Sequence, residues 1–343
     1  MTSGIRLEHH LAAWAQSDRV DEDLASIVFV IASSGAKLAK LISRQGRDVQ
    51  VEGSDITRPD GSLQQPLETL SQSLFEDALG KLPISFIASE KTTELIEIDP
   101  AARLGVAIDP LDGSSNIETN TAIGTIFSVL STTADNLFQK NLGDILQASG
   151  FLFYGAQTRL VLTCGDGSYS FVLDPDDENF YQVGDALSIP AGQHEFAINT
   201  SNYRFWDESV RCFIDDCVAG EDGPLGEDFN MRWNASLVAE AYRILVRGGV
   251  FIYPGDSRPN YESGRLRLLY EALPLAFIIR QAGGMASDGV DSLLDMKLAS
   301  LHKRVPLIFG SEDRVREVIE YISGDAVDNT RFPLFENRSL LRN

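Results

Sequence analysis

Asp109-Pro110-Leu111-Asp112-Gly113-Ser114-Ser115-Asn116 is the stretch on which the reading of this chain turns. An apolar run, Leu104-Gly105-Val106-Ala107-Ile108, leads into it and reads as a buried strand. Two carboxylates three positions apart then stand at the strand's end, and Pro110 stiffens the turn between them. Carboxylates converging on one point suit a hard cation such as Mg²⁺. The Gly113-Ser114-Ser115 segment that follows offers small residues and backbone N–H groups, which suit a phosphate. The bland alternative is a strand end followed by an Asx-type turn, since turns are rich in Asp, Pro and Gly.

The rest of the chain bounds that reading. Its 343 residues allow one large domain or two medium ones. The side chains are 43% hydrophobic and 23% charged, an ordinary globular composition with enough apolar mass for a sizeable core. Fifty acidic against 29 basic residues give a formal charge of −21. That balance argues against nucleic acid, whose phosphates need clustered Lys and Arg, and against an anionic membrane surface. An anionic substrate would need local help from metals or a few placed arginines. The cysteines, Cys164, Cys212 and Cys217, are neither a disulfide framework nor a zinc pair. They read as reduced thiols, and the expected location is cytoplasmic. No signal peptide is evident and no transmembrane helix is expected.

Helices are expected at 7–16, 20–44 and 67–82, with a loop from Gln45 to Gln65 between the last two. Ile84–Ala88 reads as a short strand ending at Ser89-Glu90. From about 121 to 183 the chain turns strand-rich, with Gly165-Asp166-Gly167 as a hairpin turn and Asp174–Asn179 as a solvated acidic loop. Ser188–Gly192 is the best domain boundary. Beyond it helices and strands alternate, which argues for an α/β layer. Leu266–Ala282 reads as one strong helix, and 324–343 as an aperiodic extension.

Five acidic residues fall near predicted element ends: Glu68, Glu90, Asp109, Asp112 and Glu271. Each alone reads as a surface carboxylate. Glu90 and Asp109 end neighbouring strands, so both can face one crevice, where open α/β sheets bind ligands. In Gly264-Arg265-Leu266-Arg267-Leu268-Leu269-Tyr270-Glu271, a helical reading puts Arg267 and Glu271 on one face as i and i+4. That pair is either a surface ion pair of little worth or a metal carboxylate beside phosphate-binding arginines.

Taken together, these blocks resemble the class I fructose-1,6-bisphosphatase family. The octapeptide is followed by Gly124-Thr-Ile-Phe127, then by Gly248-Gly-Val-Phe-Ile-Tyr-Pro254, the Gly264–Glu271 block and Gln281-Ala-Gly-Gly-Met-Ala286. His302-Lys-Arg-Val-Pro306 and Phe309-Gly-Ser311 complete an ordered series running over roughly residues 20 to 322. The resemblance implies a layered α/β/α/β/α sandwich of the sugar phosphatase type. Its domains would be an N-terminal α+β domain at 1–190, a C-terminal α/β domain at 191–323 and the extension. It implies a homotetramer and Mg²⁺-dependent hydrolysis of the 1-phosphate of fructose 1,6-bisphosphate, with Mn²⁺ able to stand in. By position, Glu90, Asp109, Asp112 and Glu271 match the family's metal carboxylates, and Glu68 falls where the family has an Asp. The Leu111 carbonyl would face a metal. Glu90, Asp109 and Asp112 would carry the catalysis. Asp112 and the Gly113, Ser114 and Ser115 turn would hold the 1-phosphate. Asn199, Tyr253, Arg265 and Arg267 match the sugar and 6-phosphate region, and Arg232 matches an Arg reaching a neighbouring subunit's site.

Two departures fall together. The family has two adjacent Glu after the Ala88-Ser89 strand, and here the second is Lys91. In the helix around 67–74 an Asp is expected where Ser73 stands. Both acidic positions are thought to orient or deprotonate the attacking water. A +1 charge about 6 Å from Mg²⁺ costs roughly 5 kcal/mol at an effective dielectric near 20, so Lys91 must swing to solvent or metal occupancy must fall. A catalytically weak or inactive sugar-phosphate-binding paralogue therefore stands beside the active enzyme. A seven-carbon substrate, sedoheptulose 1,7-bisphosphate, is a further alternative, since it differs by one carbon.

Overall fold

A computed structural model describes residues 4–16, 22–44 and 64–324. The expected loop from Gln45 to Gln65 lies outside the described residues up to position 63, and its last two residues belong to a helix; the extension from 325 onward lies outside as well. The helices are α1 (Leu7–Gln16), α2 (Glu22–Arg44), α3 (Gln64–Leu79), the short α4 (Leu142–Ile145), α5 (Glu208–Ala219), α6 (Leu237–Arg247), α7 (Leu273–Gln281) and α8 (Glu312–Ser323). The first sheet takes β1 (Phe86–Ser89), β2 (Ile96–Glu97), β3 (Gly105–Asp112), β4 (Ile123–Leu130), β5 (Leu146–Tyr154), β6 (Thr158–Thr163), β7 (Ser168–Leu173) and β8 (Phe180–Gln182). Its spatial order is β2-β1-β3-β4-β5-β6-β7-β8, with β1 and β3 parallel and the remaining pairs antiparallel.

After it come β9 (Glu195–Ala197), β10 (Asn230–Met231), β11 (Val250–Tyr253), β12 (Leu266–Arg267), β13 (Met285–Ser287), β14 (Arg304–Val305) and β15 (Leu307–Gly310). A second sheet runs β10-β9-β11-β15-β13, while β12 and β14 form a separate ribbon. Pro306 divides β14 from β15, because proline has no N–H to continue a ladder.

Burial separates the layers. Leu24, Ile27, Val28 and Ile31 of α2, with Phe75 of α3, pack on Ile87, Val106 and Leu152 from one face of the first sheet. Its other face, through Ala107, Ile126 and Phe151, meets Val238 and Ala241 of α6 and Leu275 and Ile278 of α7. The same core cluster continues into Phe251 and Phe309 of the second sheet. The far face of that sheet is closed by Phe213 and Ile214 of α5 and Val315 and Val318 of α8. The result is the expected α/β/α/β/α sandwich, with α6 and α7 as a middle layer shared by both sheets. By length and composition α2 is apolar enough to cross a membrane, but half of that apolar stretch is buried inside this fold. The acidic Asp174–Asn179 loop is less free than expected: Asp177 pairs with Arg6 and Glu178 with Lys40.

The segment 266–282 departs from the single expected helix. Leu266 and Arg267 pair laterally with Val305 and Arg304, and the Leu268 amide donates to the Lys303 carbonyl. Those lateral bonds hold the backbone extended. One π-type turn, Leu268–Ala272, then leads into α7, which has a proline in its first turn, where a missing N–H costs nothing.

Gly124 on β4 marks a close approach between the first sheet and α6. A Cβ there would lie 2.5 Å from the Leu152 carbonyl oxygen and 2.6 Å from both methyls of Val238. The substitution Gly124→Ala is therefore expected to force α6 away from the sheet and to cost about 1–3 kcal/mol. A lowered urea midpoint checks this, and an unchanged midpoint would show that α6 has slack.

Candidate active site

The end of β3 carries an irregularity that the sequence does not display. Asp109 faces Ile126 on β4, yet Asp112 faces Gly124, so three steps along β3 match two along β4. In a regular strand residues i and i+3 point to opposite faces. The bulge inserts one extra residue and brings both carboxylates to the same side. It sits at Pro110, which could not donate to the ladder in any case, and Thr125 on β4 holds the Pro110 carbonyl at 2.9 Å. Gly113 then takes a left-handed φ of 74°, which lets the chain turn into the short helical segment Ser114–Asn116. Asn116 anchors that turn by donating to the carbonyls of Ala122 and Ala235.

Glu271 joins the two aspartates from the π-type turn before α7. One carboxylate oxygen from each of Asp109, Asp112 and Glu271 lies within 4.8 Å of the others. At that spacing each ionised pair repels by about 3 kcal/mol at an effective dielectric near 20. Burial first, then the neighbouring carboxylates, raise all three. Asp112 is pushed up to about 7, while Asp109 and Glu271 are also raised. The Lys91 ammonium opposes the shift at both aspartates, the Val238 amide opposes it at Asp112, and the Arg267 amide opposes it at Glu271. Asp112 Oδ2 is buried without a hydrogen-bond partner in the protein. Hard oxygen donors, a buried unpartnered oxygen and mutual repulsion together fit a divalent cation.

The other expected acids behave differently. Glu90 lies outside the three-carboxylate cluster, although its charge adds to the upward shift of all three. Its Oε2 lies 2.8 Å from Lys91 Nζ, and its Oε1 accepts from Arg267 Nε at 3.3 Å. Lys91 does not swing to solvent: its ammonium also lies 3.4 Å from Asp109, and 26% of its side chain is exposed. Burial pulls the ammonium down, but the Asp109 and Glu90 charges outweigh that and hold it above its ordinary value, with Glu68 adding to them. On α3 the position where the family's Asp is expected points outward. Ser73 is exposed, in line with exposed Thr69 and Asp77, and its hydroxyl donates to the Thr69 carbonyl. Glu68 is the α3 acid whose charge reaches Lys91.

Arg267 also corrects the helical reading. It lies on β12, so it and Glu271 are not i,i+4 partners on one helix face. Its backbone amide donates to Glu271 while its guanidinium reaches Glu90 and the His302 carbonyl. This double contact fixes Glu271 and Glu90 from one residue.

Beside the carboxylates lies a cavity of about 330 Å³ lined by Asp112, Gly113, Asn199, Tyr253, Arg265 and Trp233. Five of the expected substrate residues thus meet in one space, and Trp233 joins them, stacked 6.0 Å from Phe251. Ser114 and Ser115 continue directly from this wall. Arg265 is held by rings, 4.4 Å over Tyr261 and 5.9 Å over Tyr253. Tyr261 in turn stacks on Arg258, which also covers Phe205 and pairs with Asp256. Arg232 lies apart, half exposed on the edge beside β10 and 3.7 Å from Glu195, which also binds Arg243 and Arg247. A larger cavity, about 770 Å³, lies near Ile42, Ile117 and Tyr154. No carboxylate lines it among the described residues, so the chemistry points to the smaller one.

Comparison with known proteins agrees with this geometry. Residues 13–185 match the family described as "Fructose-1-6-bisphosphatase, N-terminal domain", and residues 189–323 match its C-terminal domain. A relative from Rhodopseudomonas palustris (strain BisB18), "Fructose-1,6-bisphosphatase class 1", is 44% identical over 345 residues, covering 100% of both chains. One from Nitrobacter hamburgensis, "Fructose-1,6-bisphosphatase class 1 1", is 46% identical with the same coverage. Among solved structures, Leishmania major fructose-1,6-bisphosphatase in holo form superposes with a TM-score of 0.83 at 29% identity, covering 93% of this chain and 99% of that one. A bulged strand carrying two aspartates, a third acid across the cleft and two matching domains spanning almost the whole length have one common source: the chain belongs to the class 1 fructose-1,6-bisphosphatase family.

Proposed function

We propose that this protein hydrolyses the 1-phosphate of fructose 1,6-bisphosphate, with Mg²⁺ as its ion and Mn²⁺ as a substitute. The observation that carries the reading is the carboxylate trio of buried Asp109 and Asp112 and half-buried Glu271, beside the cavity that Asp112, Asn199, Tyr253 and Arg265 line. The trio, with the Leu111 carbonyl, would hold the ion. Such an ion supplies Lewis-acid charge at the phosphoryl group and lowers the pKa of bound water. The chain's own part is positioning and charge. The amides and hydroxyls of Gly113, Ser114 and Ser115 take the 1-phosphate. Asn199 and Tyr253 take the sugar, and Arg265 takes the second phosphate as a fixed fork of donors. Glu68, facing Lys91 from α3, orients the attacking water. Glu90 acts as the counter-charge of Lys91 and Arg267.

The assembly is proposed to be a homotetramer. Exposed Met231 and Val246 flank Arg232 and Arg247 on one edge, and that mix of apolar surface and arginine suits a subunit contact. Arg232 would then reach a neighbouring site. Light scattering behind a sizing column reads the mass directly, and a monomer would sink both statements.

A second reading, a sugar-phosphate binder without turnover, draws on the position of Lys91 among the carboxylates. Phosphate release from fructose 1,6-bisphosphate with Mg²⁺, measured beside calorimetric binding, separates the two. Release that stops on chelation is expected. Binding with no release would favour the second reading. Asp112→Asn is expected to lower kcat on the order of 10³-fold, because several kcal/mol of charge stabilisation depend on that ligand. Ser73→Asp, on the outer face of α3, is expected to leave kcat within about twofold.

The raised carboxylates also set a pH dependence. In the metal-free protein they hold protons that the unfolded chain has released. The folded state therefore binds more protons between the ordinary carboxylate range near ~4 and about 7, where Asp112 titrates. Stability from these groups is complete below the unfolded pKa and is lost as pH rises through the folded one. The urea midpoint of metal-free protein should fall between about pH 5 and about pH 8, and fall less in Asp112→Asn. Added Mg²⁺ should restore it more at the higher pH, since an ion must displace those protons. A midpoint rising over that interval would show the cluster to be ionised without metal.

A further inference from the structure

Lys91 is placed as a component of the cluster rather than as a surface residue that happens to lie nearby. It follows β1 directly, and the turn that carries it is tied down on three sides. The Ser89 hydroxyl accepts the Lys91 amide at 3.2 Å and donates to Gln72 of α3 at 2.6 Å. The Glu90 amide donates to the Ile108 carbonyl on β3. The Thr92 carbonyl accepts from His302 Nε2 at 2.8 Å. From that fixed base the side chain delivers its ammonium to two carboxylates, Glu90 just past the end of β1 at 2.8 Å and Asp109 on β3 at 3.4 Å. Asp109 is 4% exposed at its side chain, so this contact is made out of bulk water. Glu68 adds a third negative charge from α3.

Resting on the metal-site reading above, we infer that Lys91 is a resident cation: its ammonium occupies the cation position between Glu90 and Asp109. Divalent ions are thereby confined to the Asp109, Asp112 and Glu271 side. Two features of the geometry support this division. Glu90 lies outside the trio whose oxygens share a 4.8 Å envelope. Both of its oxygens are taken by protein cations, one by Lys91 and one by Arg267. A carboxylate so engaged has a protein cation on each oxygen, while its charge still reaches all three members of the trio. Asp109 is shared between the two sides, with Lys91 on Oδ1 and the Leu111 amide donating to the same oxygen at 3.1 Å. The chain therefore carries in covalent form one positive charge that the carboxylates need.

Equilibrium dialysis with Mn²⁺ tests this on the full-length protein, comparing wild type with Lys91→Met and Lys91→Arg. Met keeps an unbranched stem, one atom shorter, and removes the charge. Lys91→Met is expected to bind about one more ion per chain, and to bind the shared ion ~10-fold tighter or more, since a like charge a few ångströms away is gone. Its metal-free melting temperature should fall below that of wild type and recover with Mn²⁺. Lys91→Arg should keep the wild-type ion count. Equal counts, affinities and metal-free melting temperatures in wild type and Lys91→Met would overturn the inference while leaving the proposed activity intact. So would a failure of both proteins to bind Mn²⁺, which would remove the metal-site reading as well. Ions bound normally by a protein that releases no phosphate would defeat the proposed activity and leave the role of Lys91 standing.

Discussion

Repulsion among three clustered carboxylates, two buried and one half-buried, governs this structure. Asp109, Asp112 and Glu271 are brought within 4.8 Å of one another in a protein of net charge −21. An arrangement in which all three are ionised without compensation would cost on the order of the whole stability of a folded chain. The surrounding structure is organised around that cost. Lys91 and the first-turn amide of α6 draw on the aspartates, the Arg267 amide draws on Glu271, and the remaining charge is left for protons or a cation. The same arrangement makes the cleft useful, because a phosphate dianion can approach four or five acids only when cations stand between them.

No single layer could build this cluster. Asp109 and Asp112 come from the first sheet, Glu271 from the turn into the middle layer, and Arg267 from the small β12–β14 ribbon. The middle layer packs against both sheets through one continuous core. Close approach at Gly124 places Val238 beside Asp112, so a packing constraint on β4 sets an electrostatic one at the end of β3. The cavity beside the trio draws Asn199 and Tyr253 from the second sheet's side of the same junction. Geometry at the site is thus a consequence of how the two sheets share α6 and α7.

Much of this was legible from the residues, and the failures have physical causes. Apolar periodicity located α1, α2 and α3 and most strands, because each buries one continuous face. The convergence of Asp109 and Asp112 was read correctly, but for an incomplete reason. Three positions apart on a plain strand they would face opposite ways, and only the bulge at Pro110 unites them. Bulges are a property of the pair of strands and leave little trace in one. Leu266–Ala282 was read as a single helix because its leucines recur at helical spacing, yet pairing with Arg304 and Val305 straightens its start. Ser73 is matched to an acidic position of the family by resemblance alone, and the rotation of α3 about its axis, which exposes it, is not given by the sequence. The charge argument leaves two outcomes for Lys91, a swing to solvent or a loss of metal occupancy, and the structure excludes the first. Local partners on a fixed turn hold it in place.

How this acidic protein keeps an arginine available for an anion is answered by the fate of its guanidinium groups. Arg267 is bound to Glu90, Arg243 and Arg247 to Glu195, and Arg258 to Asp256. Each of these is held by a carboxylate, which fixes the side chain and cancels its charge together. Arg265 is fixed in another way. Its guanidinium lies over the rings of Tyr261 and Tyr253, and no carboxylate pairs with it among the described residues. A ring face attracts a cation by about 0.5–2 kcal/mol without donating a full negative charge. Its planar edge therefore remains free to donate along the cavity wall that it lines. Arg258 and Phe205 extend the stack behind it, so the ring that orients Arg265 is itself held in place. An alternating ladder of rings and guanidinium groups thus positions one positive charge at the cavity and leaves that charge unspent, which pairing with an acid could not do.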